Sequence, residues 1–127
     1  MGLEEKRLLS MHKEETLPKY TKELQEIAGC KINLEIDWDS IADSKEALMN
    51  IENQGMSTIN KAITNICSYG VGKDAVKKIK KITLKNVKDG SKKKILVNNG
   101  QVRVEAAWGA NDYFDWNEIV KALEDAL

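Results

Sequence analysis

The chain has 127 residues, in which twenty lysines and arginines balance twenty aspartates and glutamates to give a formal net charge of zero. That length fits one domain with one core, and 42% apolar residues with 31% charged residues argue against a disordered chain. No apolar run approaches the ~20 residues that cross a bilayer, and the opening stretch lacks the apolar core of a secretory signal, so a soluble, cytoplasmic protein without membrane contact is the expectation.

Cysteine and histidine are too sparse to assemble much chemistry. Cys30 and Cys67 stand far apart with no second Cys or His beside either, and read as small buried side chains rather than a disulfide or metal pair. The single histidine, His12, lies in a segment expected to be peripheral, so neither a histidine-dependent triad nor a zinc set can be built.

Residues 1–15 mix Leu8, Leu9 and Met11 with charged side chains and predict a peripheral segment ahead of a single domain over 16–127. Thr16 has the form of an N-cap, with Leu17-Pro18 in the first helical turn, where proline's missing amide costs nothing. Leu17, Tyr20, Leu24 and Ile27 then recur at helical spacing until Gly29, which predicts a helix over 17–28. From Lys31 to Trp38 apolar and polar residues alternate, the pattern of a strand with one wet face. Asp43 with Glu46 suggests a capping box, and the stripe Leu48, Ile51, Gly55, Ile59, Ala62, Ile66 predicts a long helix over 44–69. Asn53-Gln54-Gly55 is its weak point, where a kink, or a close approach of helix to sheet, is expected.

A short helix fits residues 70–81. Strands follow over 81–87, 92–98 and 101–107, separated by Asp89-Gly90 and Asn99-Gly100, dipeptides that tolerate the backbone of a tight reversal. Asp115 with Glu118 forms a second capping box, Phe114 can staple onto Ile119, and Val120, Leu123 and Leu127 complete a helix over 115–127. The expected fold is a two-layer α+β domain. Its four-stranded, mainly antiparallel sheet (31–38, 81–87, 92–98, 101–107) carries helices 17–28, 44–69 and 115–127 on one face.

Candidate chemistry is thin. Asp37-Trp38-Asp39-Ser40-Ile41 resembles the nucleophile motif of haloacid-dehalogenase-type phosphatases, in which two aspartates two residues apart follow a strand. That resemblance would imply a nucleophile at Asp37, an acid/base at Asp39 and magnesium beside them. It covers five residues, has Ser40 where that family usually has Thr or Val, and leaves little chain for a large parallel sheet; an acidic loop ahead of a helix is the expectation. GVGKD, residues 70–74, lacks both ends of a phosphate-binding loop: Cys67 stands in place of the leading glycine and Asp74 in place of the magnesium-binding hydroxyl. No catalytic residue, metal or cofactor is assigned.

Two surfaces remain. In WGANDYFDW the aromatic residues gather beside acidic ones, and Trp108, Asn111, Asp112, Tyr113 and Trp116 are the candidate binding residues. Ten lysines, at 73, 77, 78, 80, 81, 85, 88, 92, 93 and 94, face only Asp74 and Asp89 within their segment, and Lys85, Lys88, Lys92, Lys93 and Lys94 are candidates for electrostatic contact. The expected function is a non-enzymatic protein-interaction or regulatory module of accessory or immunity type. Its partner would be another protein, or a second copy through attraction between the acidic aromatic loop and the lysine-rich hairpin. The alternatives are nucleic acid bound along the basic segment, against which stands its lack of arginine and aromatic residues, and a small ligand held between helix and sheet.

Overall fold

The computed structural model describes residues 2–127. Helix α1 (Leu3–Met11) runs through one π turn, His12–Thr16, into helix α2 (Leu17–Ala28). Thr16 therefore does not cap a helix start: its backbone is helical and its side chain makes no capping bond. Pro18 lacks an amide hydrogen and its ring crowds the carbonyl four residues back, and the wider π turn just before it admits it without ending the rod. Gly29, at φ 68°, stops α2 in the left-handed conformation.

Strand β1 (Asn33–Ile36) leads into α3 (Lys45–Ile51), which passes through a second π turn, Glu52–Met56, into α4 (Ser57–Ile66). The weak point expected at Asn53-Gln54-Gly55 is this π turn. Gly55 lies hard against the sheet, where a Cβ would sit 2.9 Å from Ile51 Cδ1 and 3.3 Å from Leu84 Cδ1. The cap of α3 is Ser44, whose Oγ accepts from the Ala47 amide at 3.2 Å, one residue after the expected Asp43. Helix α5 (Gly70–Val76) follows, a shorter form of the helix expected over 70–81.

Strands β2 (Lys81–Asn86), β3 (Lys94–Asn98) and β4 (Gln101–Ala106) complete the sheet, and α6 (Trp116–Ala126) closes the chain. The strand order is β1-β2-β4-β3, with β1 and β2 parallel, β2 and β4 parallel, and β3 antiparallel to β4. The sheet is mixed, which corrects the expected mainly antiparallel arrangement. Asn99 and Gly100 do form a tight reversal, at φ 52° and 80°, but Gly90 is outside the left-handed region. Asp89 instead accepts from the Ser91 amide and hydroxyl at 2.9 and 2.8 Å, and residues 87–93 cross the end of β4 to reach the far edge.

The apolar side of the sheet, with Leu34, Ile36, Ile82, Leu84, Val102 and Val104, is buried against Leu24, Ile51, Ile59, Ile63, Ile119 and Leu123 of the helices. The other side is wet: Lys81 pairs with Glu35 at 3.8 Å and Arg103 with Glu105 at 2.7 Å across it. Among the described residues no helix is long and apolar enough to cross a membrane.

Candidate functional site

The aromatic loop leaves β4 through a 3-10 turn, Trp108–Ala110, and is clamped at its base: the amides of Ala107 and Asp112 each donate to the other's carbonyl, at 2.8 and 3.0 Å. Asn111 supplies the left-handed residue that this tight return needs, at φ 54°. Trp108 is 1% exposed and its indole Nε1–H donates to the Gln54 carbonyl at 3.0 Å. It fills the core above the second π turn, which corrects its assignment to partner contact. Asn50 Nδ2 donates to the Trp108 carbonyl at 2.8 Å and to Asn111 Oδ1 at 2.9 Å, pinning the loop to α3. Tyr113 is half-buried against the core. Trp116, also half-buried, forms one wall of a shallow groove of about 560 Å³ beside Glu23, Asn60 and Lys61.

The acidic loop and the basic hairpin meet inside one molecule. Lys93 Nζ pairs with Asp112 Oδ1 at 2.8 Å and lies 5.2 Å from the centre of the Phe114 ring, and the pairing holds the ammonium protonated to higher pH than usual. Gly90 packs so closely on the same carboxylate that a Cβ there would sit 1.9 Å from Asp112 Oδ2. Lys93 and Asp112 are thus occupied with each other.

The remaining lysines are divided by the fold. Lys73, Lys77, Lys78 and Lys80 are exposed at the amino ends of the parallel strands, where the Lys80 amide donates to the Gly100 carbonyl at 2.7 Å. Lys88, Lys92 and Lys94 lie at the opposite end, one β2 length or about 20 Å away at ~3.3 Å per residue, and Lys85 sits on the wet sheet face. None of these eight enters an ion pair among the described residues.

The first lysine group borders a feature that the sequence pattern did not single out. At the corner of α4, α5 and α6, Ile66, Ala75, Leu123 and Leu127 line a pocket of about 290 Å³ rimmed by Tyr69, Val71 and Glu124. Val71 is 81% exposed and Tyr69 43%, with the phenol donating to the Glu124 carboxylate. The corner is rigid because α5 packs on the end of α4 through Gly72, where a Cβ would stand 2.0 Å from the Ile66 carbonyl oxygen. The available signal was Tyr69 and Val71 themselves, apolar residues set around Gly70 and outside every helical stripe.

The Asp37–Asp39 pair is held in a structural loop. Ser40 Oγ donates to the Asp37 carbonyl at 2.6 Å and accepts from the Asn86 amide at 2.9 Å, fastening the Asp37–Asp39 loop to the end of β2. Among the described residues no three His, Cys, Asp or Glu side chains converge as a metal site. His12, expected at the periphery, is 2% exposed, with Nε2 2.6 Å from the Leu48 carbonyl. A carbonyl can only accept, so Nε2 is the donor in this contact. Cys30 and Cys67 are unlinked and half-buried, and burial pushes the Cys67 thiol up against the opposing pull of Lys73, away from a reactive thiolate. No protein-family model, curated protein or solved structure matches this chain.

Proposed function

We propose that the protein is a non-enzymatic interaction module whose docking face is the pocket at the corner of α4, α5 and α6. The observation that carries this reading is the exposed apolar rim, Tyr69 and Val71, on a segment that runs on into Lys73, Lys77 and Lys78, which enter no ion pair among the described residues. Large apolar side chains held open on a rigid corner favour a partner that brings its own apolar anchor. Lys73 on α5 and Lys77 and Lys78 just after it, exposed a few residues along the chain from that rim, favour acidic residues near the anchor. The division of the lysines between two ends weighs against one continuous phosphate-tracking surface, as nucleic acid would need.

A photo-crosslinkable amino acid at position 71, introduced into the whole protein in its native cells, should yield a discrete adduct. The same probe at Met49, 58% exposed on a different helix, should yield none. In the isolated complex, Val71→Asp should weaken binding at least tenfold. Equal labelling at positions 49 and 71, or an affinity indifferent to Val71→Asp, would remove this reading.

A further inference from the structure

A second contact surface follows from the phase of the β3–β4 hairpin. The two-residue turn Asn99-Gly100 is closed by Asn98 and Gln101, and the residues flanking such a turn exchange both backbone hydrogen bonds. Bonded and non-bonded pairs alternate along an antiparallel ladder. The pairs Leu96↔Arg103 and Lys94↔Glu105 are therefore bonded, whereas Ile95 and Val97 turn their N–H and C=O groups away from β4. The strand order leaves that side of β3 without a neighbour. Each outward group is a donor or acceptor without a backbone partner among the described residues.

We infer that β3 pairs with β3 of a second copy, antiparallel and centred on Leu96, joining two sheets into one of eight strands. This register pairs the outward groups of Ile95 with those of Val97 in the second copy, giving four hydrogen bonds about a two-fold axis. Moving it one way sets Lys94 against Leu96 of the second copy; moving it the other way runs β3 into the left-handed turn at Asn99. In the centred register Leu96, 46% exposed amid polar residues on the wet face, meets its own equivalent at the closest, non-bonded position. The charges agree with it: Lys94 falls opposite Asn98, and Lys92–Lys94 of one copy lie beside the uncharged Asn98-Asn99-Gly100 of the other. Ile95 and Val97, both β-branched, oppose each other on the core side. This contact rests on backbone pairing and not on attraction between acidic loop and lysines, and it is separate from the Val71 corner.

The test combines association and cross-linking. In a Cys30→Ser, Cys67→Ser background, Leu96→Cys should form a covalent dimer in glutathione redox buffer. Lys94→Cys and Asn98→Cys should each lag at least tenfold alone, yet link to each other when mixed. In sedimentation equilibrium the unmodified protein should self-associate as concentration rises. Val97→Pro, which removes an outward-facing amide and trims a half-buried side chain but leaves the hairpin bonds to β4, should shift that association at least tenfold towards monomer. Val71→Asp should leave it unchanged, which separates this surface from the docking corner. A protein monomeric at every concentration, a Leu96→Cys variant that links no faster than Lys94→Cys, or association untouched by Val97→Pro would overturn the pairing.

Discussion

Among single residues, Trp108 shows how far side-chain chemistry can mislead about location. An indole offers a large apolar body with one polar edge, so it suits an interface or a core that supplies an acceptor. Here the Gln54 carbonyl, presented by the second π turn, is that acceptor, and the ring is interior. Trp108→Ala should therefore cost about 3–5 kcal/mol. Trp108→Phe, which keeps most of the ring but strips the Gln54 carbonyl of its donor, should cost about 1–3 kcal/mol. Urea unfolding checks both, and an alanine variant with an unmoved midpoint would contradict the burial. Tyr20 makes a pH-dependent case. Burial first, then its 3.1 Å hydrogen bond to Glu52, push its phenol up to about 12 from the ordinary 10.0. Above pH 10 the unfolded chain gives up this proton before the folded one does. The stabilisation is thus whole below pH 10 and is lost as pH rises through about 12. The stability difference between wild type and Tyr20→Phe should shrink across that window, whereas a constant difference would show that the phenol is not perturbed.

At the scale of elements, the two Gly turns test what a turn dipeptide means. Gly100 is at φ +80°, and a Cβ there would stand 2.7 Å from the Lys78 carbonyl oxygen. Gly100→Ala should cost about 1–2 kcal/mol or more, because a left-handed backbone and a fixed oxygen both oppose it. Gly90→Ala should cost less: its backbone is outside the left-handed region, and the obstruction, Asp112 Oδ2 at 1.9 Å and Cβ at 2.8 Å, belongs to one partly exposed side chain that can shift at the cost of its Lys93 pair. Thermal melts of the two variants would decide, and equal losses would mean that the turns are alike after all. The same contrast marks what was legible in the sequence. Helical and strand periods are local, so 17–28 coincides with Leu17–Ala28, and the three later strands appear within two residues of their predicted ends. The capping box at Asp115 and Glu118 closes with bonds of 2.9 and 3.1 Å. Strand order is not local. Alternation says that β2, β3 and β4 each have one apolar face, but it does not say which pair lies side by side, and Asp89-Gly90 reads the same whether it closes a hairpin or begins a crossing loop. The binding loop was misjudged for a related reason: Trp108 and Asp112 are held by Gln54 and Lys93, partners that adjoin them only once the sheet is ordered.

For the whole molecule, the formal neutrality hides a separation of charge that the fold makes geometric. One end carries Lys73, Lys77, Lys78 and Lys80, all exposed and without ion pairs among the described residues. The opposite end mixes lysines with Asp89 and Asp112, and on the wet sheet face Lys81 and Arg103 are balanced by Glu35 and Glu105. A surface responds to local potential over about one Debye length, roughly 30 Å at 10 mM salt and 10 Å at 100 mM, and not to the sum over the chain. The protein should thus be retained on a sulfonate cation exchanger at pH 7 and low salt despite its balanced composition. Replacing Lys77, Lys78 and Lys80 by Gln should bring elution markedly earlier. Replacing Lys6, Lys19 and Lys121, three exposed lysines on other elements, removes the same net charge and should move elution much less. Because the two triple variants have equal net charge, any gap between them reports arrangement alone. Coincident elution would mean that the lysines at the α5 corner create no field of their own, and an acidic partner would then have no electrostatic reason to prefer that corner.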